Sequence, residues 1–244
     1  MSPGYVETWS PAIEKERAAL IKHNVWEVVP RPEGKPILPV KWLFTQKADK
    51  TNKARLIVNG ACDMQEYSKD ETASPTPSPG AFRWFLTHVV HFQWDLQQLD
   101  VSNAFLHADM KYEKYINIPP GFETGEKSVV GKLNKSLYGM PTSPIAWFET
   151  VDRYARSQGF ESTPREPCIF VKKNSENPSL SILFLVYIDD FLVTGSDKQG
   201  ITIFLENMAL NFDLRNLGFP ARFLGIQFYK KIRWIYFYKP RAVC

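Results

Sequence analysis

Apolar residues recur along this chain in two rhythms. Phe82, Phe85, Leu86, Val89 and Val90 fall at i, i+3, i+4, i+7 and i+8, the spacing of a helix with one buried face. Similar spacing predicts a helix over residues 11–23, with Ile13, Arg17 and Leu20 along one side. Another opens at Pro144, where proline suits a helix start, and buries Ile145, Phe148, Val151 and Ala155. A further helix covers 197–212, with Ile201, Phe204, Leu205, Met208 and Phe212 inward. Shorter runs read as strands over 25–29, 40–46, 55–58, 97–101, 112–118, 222–229 and 233–238. Residues 68–80, SKDETASPTPSPG, show no period and read as a loop. Strands and helices do not alternate strictly. The expected class is therefore α+β with an antiparallel sheet, not a doubly wound parallel sheet.

Composition narrows the picture. The chain has 244 residues, of which 44% are hydrophobic and 23% charged, an ordinary globular balance that excludes a disordered, collagenous or disulfide-scaffold chain. Thirty basic against 26 acidic residues leave a net charge of +4, so any nucleic acid must be held by local basic surface rather than bulk charge. Cys62, Cys168 and Cys244 are scattered and form no CxxC pair, which disfavours a structural zinc and suggests reduced thiols in an intracellular protein. The opening MSPGYVETWS has no basic n-region or apolar h-region, so a signal peptide is not expected. The longest apolar run, 182–188, falls far short of the ~20 residues a membrane span needs, so no membrane partner is expected.

The candidate chemistry centres on SILFLVYIDDFLVTG, residues 181–195. An apolar run, two aspartates and a second apolar run predict a hairpin with Asp189 and Asp190 at its tip. Aspartate suits turns. Asp-Asp, however, lacks the glycine that a two-residue turn favours at its second position, and adjacent carboxylates repel and resist desolvation. A divalent cation would relieve both problems. Asp100 closes another strand-like run; it reads either as a helix N-cap or as a third carboxylate of a two-metal site. Lys41, Lys47, Lys50, Lys53 and Arg55, with Asp49 the one acid among them, lie on a candidate hairpin that is either a solvated tip or a phosphate-facing surface. His23, His88, His91 and His107 are dispersed and do not suggest a metal cluster.

LDVSNAFLH, KLNKSLYGM…SPIAW, YIDD and FLGIQF occur in this order, together with KARLIVNG and YINIPPGF. The ordered set resembles the reverse transcriptase domain of copia-type LTR retrotransposons, over residues 9–229. The resemblance implies a polymerase right hand, with fingers and palm over residues 1–229, a divergent tail over 230–244, and a thumb truncated or absent. It implies an RNA-directed DNA polymerase that joins deoxynucleoside triphosphates to a primer 3′-hydroxyl. Asp100 and Asp189 would bind two Mg²⁺ ions, for which Mn²⁺ could substitute. Asp190 matches the second acidic position, and the Val101 carbonyl would be a further ligand. Phe105 matches the aromatic beneath the incoming sugar, Arg55 the basic residue that grips the triphosphate, and Lys53 its companion. Phe223, Leu224 and Gly225 resemble the primer grip. The implied partners are an RNA template, a DNA or RNA primer and the other domains of a Pol polyprotein. The implied location is the cytoplasm, in a virus-like particle, or the nucleus. Asp100 and Asp189 are expected to bring their carboxylates within roughly 8 Å.

The chain also departs from that family. Where the family reads LYGLKQSPRAW, it has LYGMPTSPIAW, with Pro141, Thr142 and Ile145 in place of Lys, Gln and Arg. Asn59 stands where a basic residue is usual. These losses surround a site that handles polyphosphate, and a catalytically decayed remnant that keeps the palm fold is the alternative reading. An unrelated two-metal nuclease or phosphatase fits less well, because such sites usually recruit His or extra carboxylates and none cluster here.

Overall fold

The computed structural model describes residues 3–47, 49–126, 128–231 and 234–238. In chain order these form α1 (Pro3–Lys22), β1 (Trp26–Pro30), β2 (Ile37–Leu38), β3 (Val40–Gln46), β4 (Asn52–Val58), α2 (Lys69–Thr72), α3 (Pro79–Phe92), β5 (Leu96–Val101), β6 (Tyr115–Ile116) and β7 (Val129–Leu133). The order continues with α4 (Ser143–Ser157), β8 (Glu161–Thr163), β9 (Glu166–Lys173), β10 (Ser181–Tyr187), β11 (Asp190–Gly195), α5 (Lys198–Asn211), β12 (Leu214–Gly218), β13 (Arg222–Phe223), β14 (Ile226–Lys231) and β15 (Trp234–Tyr238). The chain divides into two compact units, one of residues 1–74 and 105–150, the other of residues 75–104 and 151–244.

The first unit holds a four-stranded sheet in the order β1-β7-β6-β2 and the two-stranded β3-β4 hairpin. Its core gathers Leu20 of α1, Val25, Leu38, Leu56, Val58, Leu106, Ile116, Leu133, Leu137 and Met140. Alternation decides how β4 lies. Ala54, Leu56 and Val58 are buried, while Lys53, Arg55 and Ile57 share the half-buried opposite face. Glu16 reaches from α1 to accept the Leu56 amide at 3.3 Å, which satisfies a main-chain donor beside the core.

The second unit is built on a six-stranded antiparallel sheet, β12-β5-β11-β10-β9-β8, with the β13-β14-β15 sheet beside it in sequence. Strand β10 is central and buried on both faces, so its sequence reads as an unbroken apolar run rather than as alternation. Leu183 and Leu185 meet Phe82, Phe85, Leu86 and Val89 of α3. Between them Phe184 turns the other way, with its ring 5.2 Å from both Phe191 and Phe204 of α5.

The antiparallel α+β class expected from sequence is the one observed; among the described strands only β2 and β6 pair in parallel. Several boundaries differ. α1 starts at Pro3 and contains Pro11, a residue that sequence reasoning places at a helix start. The strand expected over 112–118 is only Tyr115–Ile116. The run expected over 222–229 is broken by a tight turn at Leu224-Gly225, and residue 233 of the last expected strand lies outside the described residues, as does Cys244. The loop expected over 68–80 contains the short α2, held by a capping box in which Ser68 and Glu71 satisfy each other's backbone.

Candidate active site

The carboxylates converge because two strands pair. Asp190 is the first residue of β11 and lies directly opposite Asp100 of β5. The Val101 amide donates to the Asp189 carbonyl at 2.9 Å, which ties the hairpin tip to the same strand end. Asp100 is therefore a strand residue, not a helix cap. The tip also differs from the expected one. Tyr187 pairs with Asp190, so the two-residue turn is Ile188-Asp189, and Asp190 belongs to the ladder. Ile188 carries the turn in the left-handed region, with φ +53°. A β-branched residue is disfavoured there by about 1–3 kcal/mol, strain that the two flanking buried strands hold in place.

The electrostatics follow from this crowding. Burial pushes the Asp190 carboxyl above the usual range, the charges of Asp189 and Asp100 push it further, and a hydrogen bond from Gln98 opposes them. Gln98 lies two residues before Asp100 on the same face of β5, and its Nε2 is 3.5 Å from Asp190 Oδ1. Arg215, opposite Asp100 on β12, donates from Nε at 3.1 Å and from Nη2 at 2.6 Å to Asp100 Oδ2. Sequence reasoning missed both neighbours. Gln98 carried a signal, since alternate strand residues share a face. Arg215 carried none, because its pairing depends on β12 joining the sheet edge 115 residues later.

Hard oxygen donors in mutual repulsion are the set that Mg²⁺ prefers, so the carboxylates of Asp100, Asp189 and Asp190 have the chemistry to fit a divalent ion.

In the first unit, the structure brings Arg55 and Phe105 to a single residue, Tyr138. The Arg55 guanidinium carbon is 4.9 Å from the Tyr138 ring centroid, and the Phe105 ring is 4.8 Å from it. Lys53 lies on the same face of β4 as Arg55, while Lys50 sits at the exposed hairpin tip with φ +63°. The Tyr138 carbonyl accepts the Val58 amide at 2.8 Å. This approach requires glycine next in sequence: Gly139 has φ +88°, and a Cβ there would lie 2.1 Å from the Val58 oxygen. Of the departures, Thr142 and Ile145 are buried and Pro141 is half-buried.

Phe223, Leu224 and Gly225 form the β13–β14 turn, in which Phe223 pairs with Ile226. Both central residues have positive φ, +46° at Leu224 and +76° at Gly225, the pattern of a tight hairpin turn. The Phe223 side chain is buried against Phe82, so it anchors the turn from within. Leu224 is exposed, and the space where Gly225 would bear a side chain is open.

Asp100 and Asp190 thus face each other across paired strands beside a strained turn, and comparison with known proteins places the chain in a family. A family model described as reverse transcriptase (RNA-dependent DNA polymerase) matches residues 23–239, so the chain belongs to the reverse transcriptase family. It is 36% identical over 222 residues to the retrovirus-related Pol polyprotein from transposon TNT 1-94 of Nicotiana tabacum, which covers 88% of this chain and 17% of that protein. Against the corresponding polyprotein from transposon RE1 of Arabidopsis thaliana it is 32% identical over 228 residues, 91% of this chain and 15% of the relative. The Ty1-GR3 Gag-Pol polyprotein of Saccharomyces cerevisiae is 29% identical over 220 residues. The chain thus spans less than one fifth of the length of these curated relatives. A foamy viral protease-reverse transcriptase solved with double-stranded DNA aligns with a TM-score of 0.46 at 12% identity, over 88% of this chain and 33% of that one.

Proposed function

We propose that this chain is the RNA-directed DNA polymerase domain of a copia-type Pol polyprotein, extending a primer 3′-hydroxyl with deoxynucleoside triphosphates along an RNA template. The observation that carries this reading is the cross-strand placement of Asp100 against Asp190, with Asp189 at the adjoining turn. Asp100, Asp189, Asp190 and the Val101 carbonyl would hold two divalent ions, Mg²⁺ or in its place Mn²⁺. When bound, such ions lower the pKa of the attacking hydroxyl and neutralise the leaving pyrophosphate. The other residues position and shield. Arg55 and Lys53 supply fixed positive charge to the triphosphate. Phe105 lies beneath the sugar and excludes a 2′-hydroxyl. The Phe223-Leu224-Gly225 turn admits the primer backbone, with no side chain at Gly225 to obstruct it. Base pairing with the template supplies the sequence, so backbone contacts suffice for the protein.

Primer extension on an RNA template with Mg²⁺ tests this reading. Extension that disappears in Asp189→Asn supports it, whereas extension that survives in Asp189→Asn removes the metal-site argument. A second reading, a remnant that keeps the fold and binds nucleic acid without polymerising, is favoured by one observation. Thr142 and Ile145 are buried where the resembled family has Gln and Arg.

A further inference from the structure

Two residues assigned here to the nucleotide, Arg55 and Phe105, share a neighbour to which nothing above gives a role. The Tyr138 ring touches both, 4.9 Å from the Arg55 guanidinium carbon and 4.8 Å from the Phe105 ring. We propose that Tyr138 is a positioning residue for the nucleotide pocket, a pedestal that fixes the triphosphate-binding arginine and the sugar-facing phenylalanine as one surface. The proposal rests on the assignment of Arg55 and Phe105 made under the proposed function.

Three observations support it. First, Tyr138 is itself rigidly held. Its carbonyl takes the Val58 amide, its backbone bridges in parallel to Ile57, and Gly139 lets the two chains approach closer than any side chain would allow. Ile57 is two residues from Arg55 on the same face of β4, so ring and guanidinium are referenced to the same strand. Second, Arg55 Nε is buried with no hydrogen-bond partner. With no protein acceptor at Nε, the guanidinium takes part of its orientation from the ring beneath it, and a ring face suits a weakly hydrated planar cation. An unmet buried donor also marks a place for an external acceptor such as a phosphate oxygen. Third, the Phe105 ring meets Tyr138 at 58°, a tilted contact that restricts the phenylalanine through the same tyrosine. Loss of the Tyr138 ring therefore loosens two contacts that are otherwise chemically independent, one to charge and one to sugar shape.

The experiment measures binding rather than turnover. Isothermal titration with Mg²⁺ compares inorganic tripolyphosphate, a deoxynucleoside triphosphate and its ribonucleotide counterpart. The proteins are the wild type, Tyr138→Met, Tyr138→Phe, Arg55→Ala and the Arg55→Ala/Tyr138→Met double variant, each checked for folding by circular dichroism. Tyr138→Met should weaken tripolyphosphate about fivefold and narrow the preference for deoxyribose over ribose. Tyr138→Phe keeps the ring and should restore both within about twofold. In the Arg55→Ala background, Tyr138→Met should not weaken tripolyphosphate further, because the ring acts on charge only through Arg55. Wild-type affinities in Tyr138→Met, or fully additive losses in the double variant, would overturn the pedestal alone. A folded wild type that binds no triphosphate would overturn the assignment of Arg55 and Phe105, and the pedestal with it. If Tyr138→Met does not fold, Tyr138→Leu and Tyr138→His replace it, and a Tyr138→His that binds as tightly as wild type with an unchanged sugar preference would also count against the proposal.

Discussion

Arg215 Nε and Nη2 both donate to the same oxygen, Oδ2, of Asp100. A guanidinium usually spans both oxygens of a carboxylate, so this geometry leaves Oδ1 outside the pair. The arginine is the counter-ion of Asp100, and in the proposed metal site it would occupy an oxygen that a divalent ion needs, so metal and arginine would compete. Arg215 is 60% exposed, which keeps the pair in the weak range of surface ion pairs. Arg215→Gln should tighten Mn²⁺ binding, read by electron paramagnetic resonance, by up to about fivefold. Unchanged or weaker Mn²⁺ binding would mean that the arginine assists the site instead.

The approach of the 138–139 turn to β4 gives a second expectation. Gly139→Ala places a Cβ 2.1 Å from the Val58 oxygen at a backbone angle that alanine rarely adopts. Strain and overlap together should cost about 3 kcal/mol or more, visible as a large fall in thermal midpoint. Gly34→Ala is the control. Its φ is also positive, +68°, yet nothing lies within 4 Å of the added carbon, so it should cost only about 1–2 kcal/mol.

Much of this architecture was legible beforehand, and the reasons are visible in particular residues. Helix α5 was bounded almost to the residue because Asp197 caps it, accepting the Gly200 amide, and its inward positions Ile201, Phe204 and Met208 keep the helical period. Strand β10 stood out because burial on both faces removes polar positions altogether. Strands β2, β7, β8, β9 and β12 lie outside the strands expected from sequence. Residues 214–218 are mostly exposed and include two polar side chains, Arg215 and Asn216, so their strand character comes from pairing with β5 and not from their own pattern. Helix α2 is a different failure. Its S-x-x-E signature was present at Ser68 and Glu71, inside a segment read as a loop because of its serines and prolines. At the site, the aspartates were legible because adjacent carboxylates between apolar strands are chemically costly. Arg215 and Tyr138 make contacts between segments far apart in sequence, which no local spacing encodes.

Glu16 makes the stability of the first unit depend on pH. Burial pushes its carboxyl above the usual range, only partly offset by the Leu56 amide and the charges of Arg55 and Lys53. The folded chain therefore holds this proton more tightly than the unfolded chain. Stability from this group is greatest below the ordinary value of 4.5, falls as pH rises through the window up to the raised folded value, and is level above it. Glu16→Gln keeps the acceptor for Leu56 and should abolish that slope. Glu16→Ala leaves the Leu56 amide unmet and should cost about 1–3 kcal/mol at neutral pH. Thermal melts from about pH 4 to pH 8 separate the two outcomes.

A buried ion pair anchors the other end of the same unit. Lys114 Nζ is 2.7 Å from Asp63 Oδ1, with side chains 6% and 1% exposed, and the Tyr67 hydroxyl donates to Asp63 Oδ2 at 2.6 Å. Burial alone would raise the Asp63 carboxyl, but the hydrogen bonds from Lys114, Tyr67 and the Gln65 amide, with the Lys114 charge, hold it below the usual range. Its contribution is thus complete above about 3.8 and is lost only as pH falls through the depressed folded value. Lys114→Met strands a buried carboxylate and should cost about 3–5 kcal/mol in chemical denaturation. The pair replaced together, Asp63→Leu with Lys114→Met, should recover much of that loss. A double variant no more stable than Lys114→Met would show that Asp63 matters chiefly as the acceptor for Tyr67 and Gln65.

The substitutions in the LYGMPTSPIAW segment bear on whether this chain polymerises by itself. Asp100 and Asp190 face each other across β5 and β11, with Asp189 next in the turn, which is the scaffold that the proposed metal site requires. Thr142, by contrast, is 3% exposed and Ile145 9% exposed, so the segment buries a short hydroxyl side chain and an apolar one where the resemblance leads us to expect Gln and Arg. A positioned hydrogen bond or charge lost beside the nucleotide typically costs about 2–4 kcal/mol of transition-state stabilisation, a factor of roughly 10² to 10³ in rate. We therefore expect the unmodified chain to bind Mg²⁺ and extend a primer weakly or not at all. Restoration must contend with packing. Gln at position 142 adds volume to a filled site and should itself cost about 1–3 kcal/mol of stability unless the segment opens. Pro141 is half-buried and takes a lysine more readily. The decisive comparison is primer extension by the wild type, Asp189→Asn, Pro141→Lys, and Pro141→Lys with Thr142→Gln, each with its thermal midpoint. Robust extension by the wild type, abolished in Asp189→Asn, would refute the decayed reading. Extension that appears only in the double variant, alongside a lower thermal midpoint, would place the defect in the nucleotide pocket. Folded proteins that stay silent throughout, yet bind Mn²⁺, would place it outside the metal site and this segment.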